Sequence, residues 1–82
     1  MRGKAAVIGA GSWGTALGSL LRTNGHRVAI WSRGQEVAAL INGRHENRIY
    51  LPGISLPAGL TATVDIGEAL KDARLVVFVV PS

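Results

Sequence analysis

A short apolar run followed directly by a glycine-rich turn constrains the fold of this chain more than any other feature. Residues Ala5 to Ile8 have no polar side chain, and residues 9–14 then read GAGSWG. An apolar run without alternation is typical of a strand covered on both faces. Glycine loses more conformational freedom on folding than any other residue, so a cluster of glycines indicates that the bare backbone is needed there. The pattern predicts a strand, a tight turn and then a helix.

Three further runs of apolar or β-branched residues predict three more strands. They are Val28 to Trp31, Thr61 to Val64 and Leu75 to Val80, and the last contains "LVVFVV". β-branched residues of this kind are enriched in strands. Between Gly43 and Gly59 the chain is rich in proline and glycine, and this stretch predicts a long loop.

Helices are predicted between these strands. The first contains apolar residues at helical spacing from Trp13 to Leu21 and ends at Asn24-Gly25, and the second runs from Gln35 to about Asn42. Asp65 followed by Glu68 is a capping box that begins a third, short helix extending to about Lys71.

Strands that alternate with helices pair in parallel through right-handed crossovers. The predicted fold is therefore α/β, a Rossmann-like doubly wound parallel sheet with strand order 3-2-1-4, truncated after the fourth strand. The chain stops at Pro81-Ser82, which leaves an apolar edge strand without a neighbour. We expect residues 1–82 to be the amino-terminal part of a dinucleotide-binding domain in a longer protein.

Each glycine of the turn has its own predicted role. Gly9 allows the tight turn out of the strand, Gly11 lets a pyrophosphate approach the backbone, and Gly14 lets the helix lie close to the sheet. The free N–H groups of the helix start then point at the phosphates. The G-x-G-x-x-G pattern in this strand–turn–helix context predicts dinucleotide binding. The alternative is a glycine turn that serves only close packing.

The end of the second predicted strand indicates which dinucleotide is bound. NAD sites usually carry Asp or Glu there, but this chain reads Trp31-Ser32-Arg33-Gly34. Arg33 can pair with a 2′-phosphate, and Ser32 can add a hydrogen bond. The sequence therefore predicts NADP, with NADPH preferred and NAD possible. The alternative is that Arg33 is a solvated surface residue.

Composition excludes several other classes of function. The net charge is +4, but the nine basic residues are scattered, so we expect no nucleic-acid partner. No apolar run approaches the roughly 20 residues of a membrane span. Without cysteine there is neither a disulfide nor a thiolate metal site, and we expect a cytoplasmic protein with no metal centre. His26, His45 and the scattered carboxylates do not form an acid–base pair in the sequence pattern.

Four segments, "GAGSWGTAL", "NGHRVAIWSR", "ENRIYLPGISLP" and "LVVFVVPS", together resemble the amino terminus of bacterial NAD(P)-dependent glycerol-3-phosphate dehydrogenases. The resemblance implies a Rossmann-like cofactor domain followed by a mostly helical substrate domain. It implies interconversion of dihydroxyacetone phosphate and sn-glycerol 3-phosphate, a phospholipid precursor. It also implies that Ser12, Trp13, Arg33 and Tyr50 contact the cofactor, while the catalytic residues and the pocket for the small phosphorylated substrate lie downstream of Ser82.

One position departs from the family pattern, since family members often have a second polar or basic residue where this chain has Gly34. Two alternative functions remain open: a dinucleotide-binding sensor or regulator, and another dehydrogenase acting on hydroxyacyl thioesters or keto acids. For the intact protein we also expect a homo-oligomer.

Overall fold

A computed structural model describes residues 3–79, and in it four parallel strands form one sheet. The strands are β1 (Lys4–Ile8), β2 (Arg27–Trp31), β3 (Leu60–Thr63) and β4 (Ala73–Phe78). Their order in the sheet is β3-β2-β1-β4, which confirms the predicted order. β1 is therefore an interior strand. The direction of the strand order reverses between β1 and β4, which is the switch point of a doubly wound sheet.

β4 differs most from its predicted bounds. It was expected to run from Leu75 to Val80, but it begins at Ala73, because Lys4 at the start of β1 pairs with Ala73. Val80, like Pro81 and Ser82, lies outside the described residues. β3 starts and ends one residue before its predicted bounds, since Thr63 makes the last ladder contact and the chain then turns into the next helix.

Three helices connect the strands: α1 (Ser12–Thr23), α2 (Gln35–Arg44) and α3 (Ile66–Leu70). α1 ends as predicted, with Asn24 as its C-cap and Gly25 at φ 96°. α2 continues two residues beyond the predicted Asn42, and His45 ends it with φ 55°. None of the helices in residues 3–79 is long and apolar enough to cross a membrane.

The capping box at α3 forms only one of its two expected halves. The Asp65 carboxylate accepts hydrogen bonds from the backbone N–H of Gly67 and Glu68, as an N-cap should. The reciprocal bond is replaced, because the Asp65 N–H donates to the hydroxyl of Thr63 rather than to Glu68. Both the side chain and the backbone N–H of Asp65 are therefore hydrogen-bonded, and the partner of the N–H is Thr63 of β3 instead of Glu68.

Two apolar layers cover the sheet, one on each face. Alternate β1 residues belong to opposite layers, with Ala5 and Val7 in one and Ala6 and Ile8 in the other. The larger layer includes α2 and the long loop, and the smaller one contains Ala69 of α3. This explains why β1 has no polar residue after Lys4, since both of its faces are buried.

The face of α1 that lies against the sheet is made of small residues. Gly14, Thr15 and Gly18 are buried, whereas Trp13 and Leu20 of the apolar stripe are 81% and 58% exposed. A Cβ on Gly18 would lie 2.9 Å from Cδ1 of Ile30. The close approach of α1 to β2 therefore depends on residues without bulky side chains, and of the stripe that predicted the helix Leu21 packs against the core while Trp13 and Leu20 do not.

Candidate functional site

The turns that follow the strands lie together at the carboxyl edge of the sheet. Three backbone hydrogen bonds extend the ladder past the strand ends: Gly9 N to Trp31 O (3.0 Å), Ser32 N to Thr63 O (2.9 Å) and Val79 N to Ile8 O (3.0 Å). They bring the glycine turn beside the turn after β2. The predicted site residues Gly9, Gly11 and Arg33 therefore share one edge, where doubly wound sheets bind their ligands.

Positions 9 and 14 must be glycine, because a side chain on Gly9 or Gly14 would collide with a backbone carbonyl oxygen. Gly9 has φ 132°, and a Cβ there would collide with the carbonyl oxygen of Val79. A Cβ on Gly14 would collide with the carbonyl oxygen of Gly9. The turn is thus packed against both β4 and the first turn of α1, and this packing places the start of α1 directly over the sheet edge.

The amino terminus of α1 is open. Gly11 is its N-cap with φ −74° and ψ −169°, it provides no side-chain cap, and the first turn of the helix holds no acidic residue. The first helical bond runs from Thr15 N to Gly11 O (3.0 Å), so the N–H groups of the first turn before Thr15 have no partner in the helix. Apart from chain neighbours, no heavy atom of residues 3–79 lies within 4 Å of a Cβ built on Gly11. This helix start can accept an anion.

Asn47 holds the glycine turn from the loop side, a role that the sequence analysis missed. Its side chain is fully buried, and its Nδ2 donates to Ala10 O (2.9 Å) and to Thr15 Oγ1 (2.8 Å). The Thr15 hydroxyl in turn donates to Ala10 O (3.3 Å). The only sequence signal was an asparagine inside the segment "ENRIYLPGISLP", and asparagine is common in solvated loops.

Tyr50 is joined to the glycine turn through its backbone. The Ser12 hydroxyl donates to Tyr50 O, and Tyr50 N donates to Asn47 Oδ1 (3.2 Å). The Tyr50 side chain is 52% exposed. The structure therefore brings Ser12, Trp13 and Tyr50 to one place, with both aromatic side chains accessible from solvent and the serine hydroxyl already bonded to the loop.

The turn after β2 separates the two residues that were predicted to bind a 2′-phosphate. Ser32 is buried, and its hydroxyl donates to Gly34 O (2.8 Å), so its one proton is used within the turn. This is a correction, because Ser32 was expected to add a hydrogen bond to the phosphate. Arg33 is exposed, and its guanidinium has no ion pair with a residue in the described range 3–79. Arg33 is the group in this turn that is free to meet an anion.

Other polar groups lie away from this edge. His26 Nδ1 is 3.3 Å from Gly3 O, next to the first residue of β1 and thus at the opposite end of the strand. An open groove of about 450 Å³ includes Lys4, Arg27 and Glu68 and contains none of the predicted site residues. In the part of the chain that the structure describes, no three His, Asp or Glu side chains gather as metal ligands.

Comparison with known proteins shows the family of this chain. The model described as "NAD-dependent glycerol-3-phosphate dehydrogenase N-terminus" matches residues 4–82. The chain belongs to this family. Two relatives named glycerol-3-phosphate dehydrogenase [NAD(P)+] are each 52% identical to it: one from Stenotrophomonas maltophilia over 96% of this chain, and one from Pelotomaculum thermopropionicum over 100%. The resemblance predicted from the four segments is confirmed.

Solved structures of family members have the same fold. Glycerol-3-phosphate dehydrogenase from Saccharomyces cerevisiae matches with a TM-score of 0.90 and 34% identity over 99% of this chain and 27% of that one. The enzyme from Plasmodium falciparum matches with a TM-score of 0.88 and 32% identity over 98% of this chain and 25% of that one. The chain spans about a quarter of the length of the curated relatives, namely 23% and 24% of the two bacterial proteins.

Proposed function

We propose that residues 1–82 are the amino-terminal part of the dinucleotide-binding domain of a glycerol-3-phosphate dehydrogenase. The observation that carries this proposal is the open start of α1, where Gly11 has free space beside it and no acidic side chain follows in the first turn. The partial positive charge and free N–H groups of such a helix start suit a pyrophosphate. Family membership supports a nicotinamide dinucleotide as the ligand.

The cofactor contacts that we propose come from three places at the carboxyl edge. They are the glycine turn with the start of α1, the turn after β2, and the loop after α2. The residues are Gly9, Gly11, Ser12, Trp13, Gly14, Arg33 and Tyr50. Exposed Arg33 favours NADPH over NADH, because a guanidinium forms charge-assisted hydrogen bonds with a 2′-phosphate. NAD remains a possible cofactor, since Gly34 provides no second cation.

The bound dinucleotide would supply hydride chemistry, reducing dihydroxyacetone phosphate to sn-glycerol 3-phosphate, the precursor for phospholipid synthesis, or running the reverse reaction. The residues described here bind and orient the dinucleotide, and none of them is positioned at this edge as an acid–base pair. We therefore propose that the groups that polarise the substrate carbonyl lie beyond residue 82, in a carboxy-terminal helical substrate domain. A cytoplasmic homo-oligomer is also part of this proposal, and the absence of cysteine supports the cytoplasmic location.

The test uses the full-length protein that begins with this segment. Fluorescence titration measures the dissociation constants of NADPH and NADH, and loss of NADPH absorbance with dihydroxyacetone phosphate measures turnover. We expect binding of both cofactors, tighter for NADPH, and turnover with this substrate. The isolated 82-residue chain should show no turnover, because proximity to a hydride donor without carbonyl activation is insufficient. Cofactor binding by the full-length protein without turnover of any 2-hydroxy or 3-hydroxy substrate would favour a sensor instead.

A further inference from the structure

We propose that Asn47 is a positioning residue for the pyrophosphate site: it holds the Ala10–Gly11 peptide so that the Gly11 N–H points at the ligand. The inference rests on the proposed dinucleotide binding and adds a residue outside the glycine motif. Asn47 lies in the loop after α2, 37 residues from Ala10 in sequence, and its side chain is completely buried. The polar atoms of a buried amide need hydrogen-bond partners, and here the partners of Asn47 Nδ2 are Ala10 O and Thr15 Oγ1.

The first step of the argument concerns the Ala10 carbonyl. It accepts from Asn47 Nδ2 at 2.9 Å and from the Thr15 hydroxyl at 3.3 Å. Asn47 Nδ2 also donates to that same hydroxyl at 2.8 Å, so the three groups form a closed triangle. Both side chains of the triangle are 0% exposed, and hydrogen bonds in such surroundings compete with no water. The Ala10 carbonyl is therefore fixed toward the protein interior.

The second step follows from the geometry of the peptide bond. The described chain has no cis peptide, and in a planar trans peptide the C=O and the N–H point in opposite directions. Because the Ala10 carbonyl points inward to Asn47, the Gly11 N–H of the same peptide unit points outward. Gly11 also has open space beside it. Asn47 thus orients one anion-binding donor through the peptide that it holds from the other side.

The third step links this donor to the aromatic side of the site. Asn47 Oδ1 accepts from Tyr50 N at 3.2 Å, and Asn47 O accepts from Leu51 N at 2.7 Å. The Ser12 hydroxyl binds Tyr50 O from the start of α1. One side chain therefore sets both the direction of the Gly11 N–H and the place of Tyr50. Loss of the Asn47 side-chain amide should therefore release both the Ala10–Gly11 peptide and the backbone of Tyr50.

The experiment measures dissociation constants for NADPH and NADH with the full-length protein carrying Asn47→Leu, which keeps the approximate size and removes every amide hydrogen bond. We expect both constants to rise by the same factor, about tenfold or more, because the pyrophosphate is common to both cofactors. The Michaelis constants for the cofactors should rise while kcat changes less than twofold. A purely structural role would change the folded fraction but leave the affinity of the folded protein as it was.

Two further variants separate positioning from stability. Thr15→Val breaks the triangle and should weaken both cofactors, whereas Thr15→Ser keeps the hydroxyl and should restore affinity. Leu56→Ala removes a buried side chain from the same loop without a hydrogen bond to the turn, so it should lower the melting temperature and leave both constants unchanged. Unchanged constants in Asn47→Leu, with normal binding by the parent protein, would overturn this inference alone. Absence of binding in the parent protein would overturn the proposed function.

Discussion

Asn42 of α2 forms two hydrogen bonds to the backbone of Ala62 in β3: its Nδ2 donates to Ala62 O and its Oδ1 accepts from Ala62 N, both at 2.8 Å. Ala62 lies on the outer side of a sheet whose order begins with β3. The asparagine amide therefore takes the place that a neighbouring strand would occupy. Exposed strand edges can pair with strands of other copies. Asn42 protects the edge of β3, whereas the edge of β4 has no such cover within residues 3–79.

Replacing Asn42 should expose the β3 edge. Asn42→Leu removes both hydrogen bonds and leaves the Ala62 N–H and C=O without these partners, which should lower the free energy of unfolding by about 1–3 kcal/mol. Urea denaturation of the full-length protein measures this change. Gln35→Leu at the exposed start of the same helix is the control and should change the free energy of unfolding little. A stability loss that is as large in Gln35→Leu as in Asn42→Leu would show that the edge bonds do not account for it.

Two glycines of the turn should respond to alanine in opposite ways. Gly14→Ala puts a Cβ into the carbonyl oxygen of Gly9, so it should destabilise the fold by several kcal/mol, on the order of other overpacked sites. Gly11→Ala has space and an ordinary φ of −74°, so it should fold with almost unchanged stability. It should nevertheless weaken NADPH binding by about tenfold or more, because the methyl group stands where the phosphate would approach. Thermal unfolding and cofactor titration, done on both variants, distinguish the two effects.

Arg33 should control the choice between the two cofactors. An arginine–phosphate contact contributes about 1.5–3 kcal/mol, which corresponds to a preference for NADPH of roughly 10-fold to 150-fold, and exposure favours the lower end. Arg33→Ala should weaken NADPH binding by about tenfold and leave NADH nearly unchanged, with a smaller difference at high salt.

Arg27→Ala is the matched control for Arg33, since Arg27 is exposed, lies at the opposite end of β2 and gives the same change in charge. It should change neither dissociation constant appreciably. Equal losses for NADPH and NADH in Arg33→Ala would mean that the guanidinium stacks on adenine without reading the 2′-phosphate. No loss for either cofactor would place Arg33 in solvent and remove the basis for NADP.

The isolated 82-residue chain should associate through β4. Leu75, Val76 and Phe78 are 43%, 38% and 68% exposed on an edge strand, and such apolar edges pair with other copies. We expect dimers or larger species in sedimentation at moderate concentration, and Phe78→Lys should shift the chain toward monomer. A clean monomer of the parent chain at high micromolar concentration would contradict this prediction.

Much of the fold was predictable from local sequence patterns. Ala5–Ile8 is apolar without alternation, and the glycine motif follows it directly, so the strand, the turn and the helix start were all predictable. Asp65 predicted the start of α3 for a similarly local reason, since its carboxylate needs only the N–H groups two and three residues further on. Features of this kind depend on neighbours in sequence.

The contacts that complete the candidate site join residues far apart in sequence, and only the tertiary structure decided them. Asn47 reaches Ala10 and Thr15 across more than thirty positions, and nothing local distinguishes it from an asparagine in a solvated loop. Ser32 looked like a phosphate ligand until the structure showed its hydroxyl bonded to Gly34. The sequence by itself determined the elements, their order and the open helix start. Packing decided which polar groups are used inside the protein and which remain free for a ligand, because a hydroxyl or amide proton can serve only one strong partner at a time.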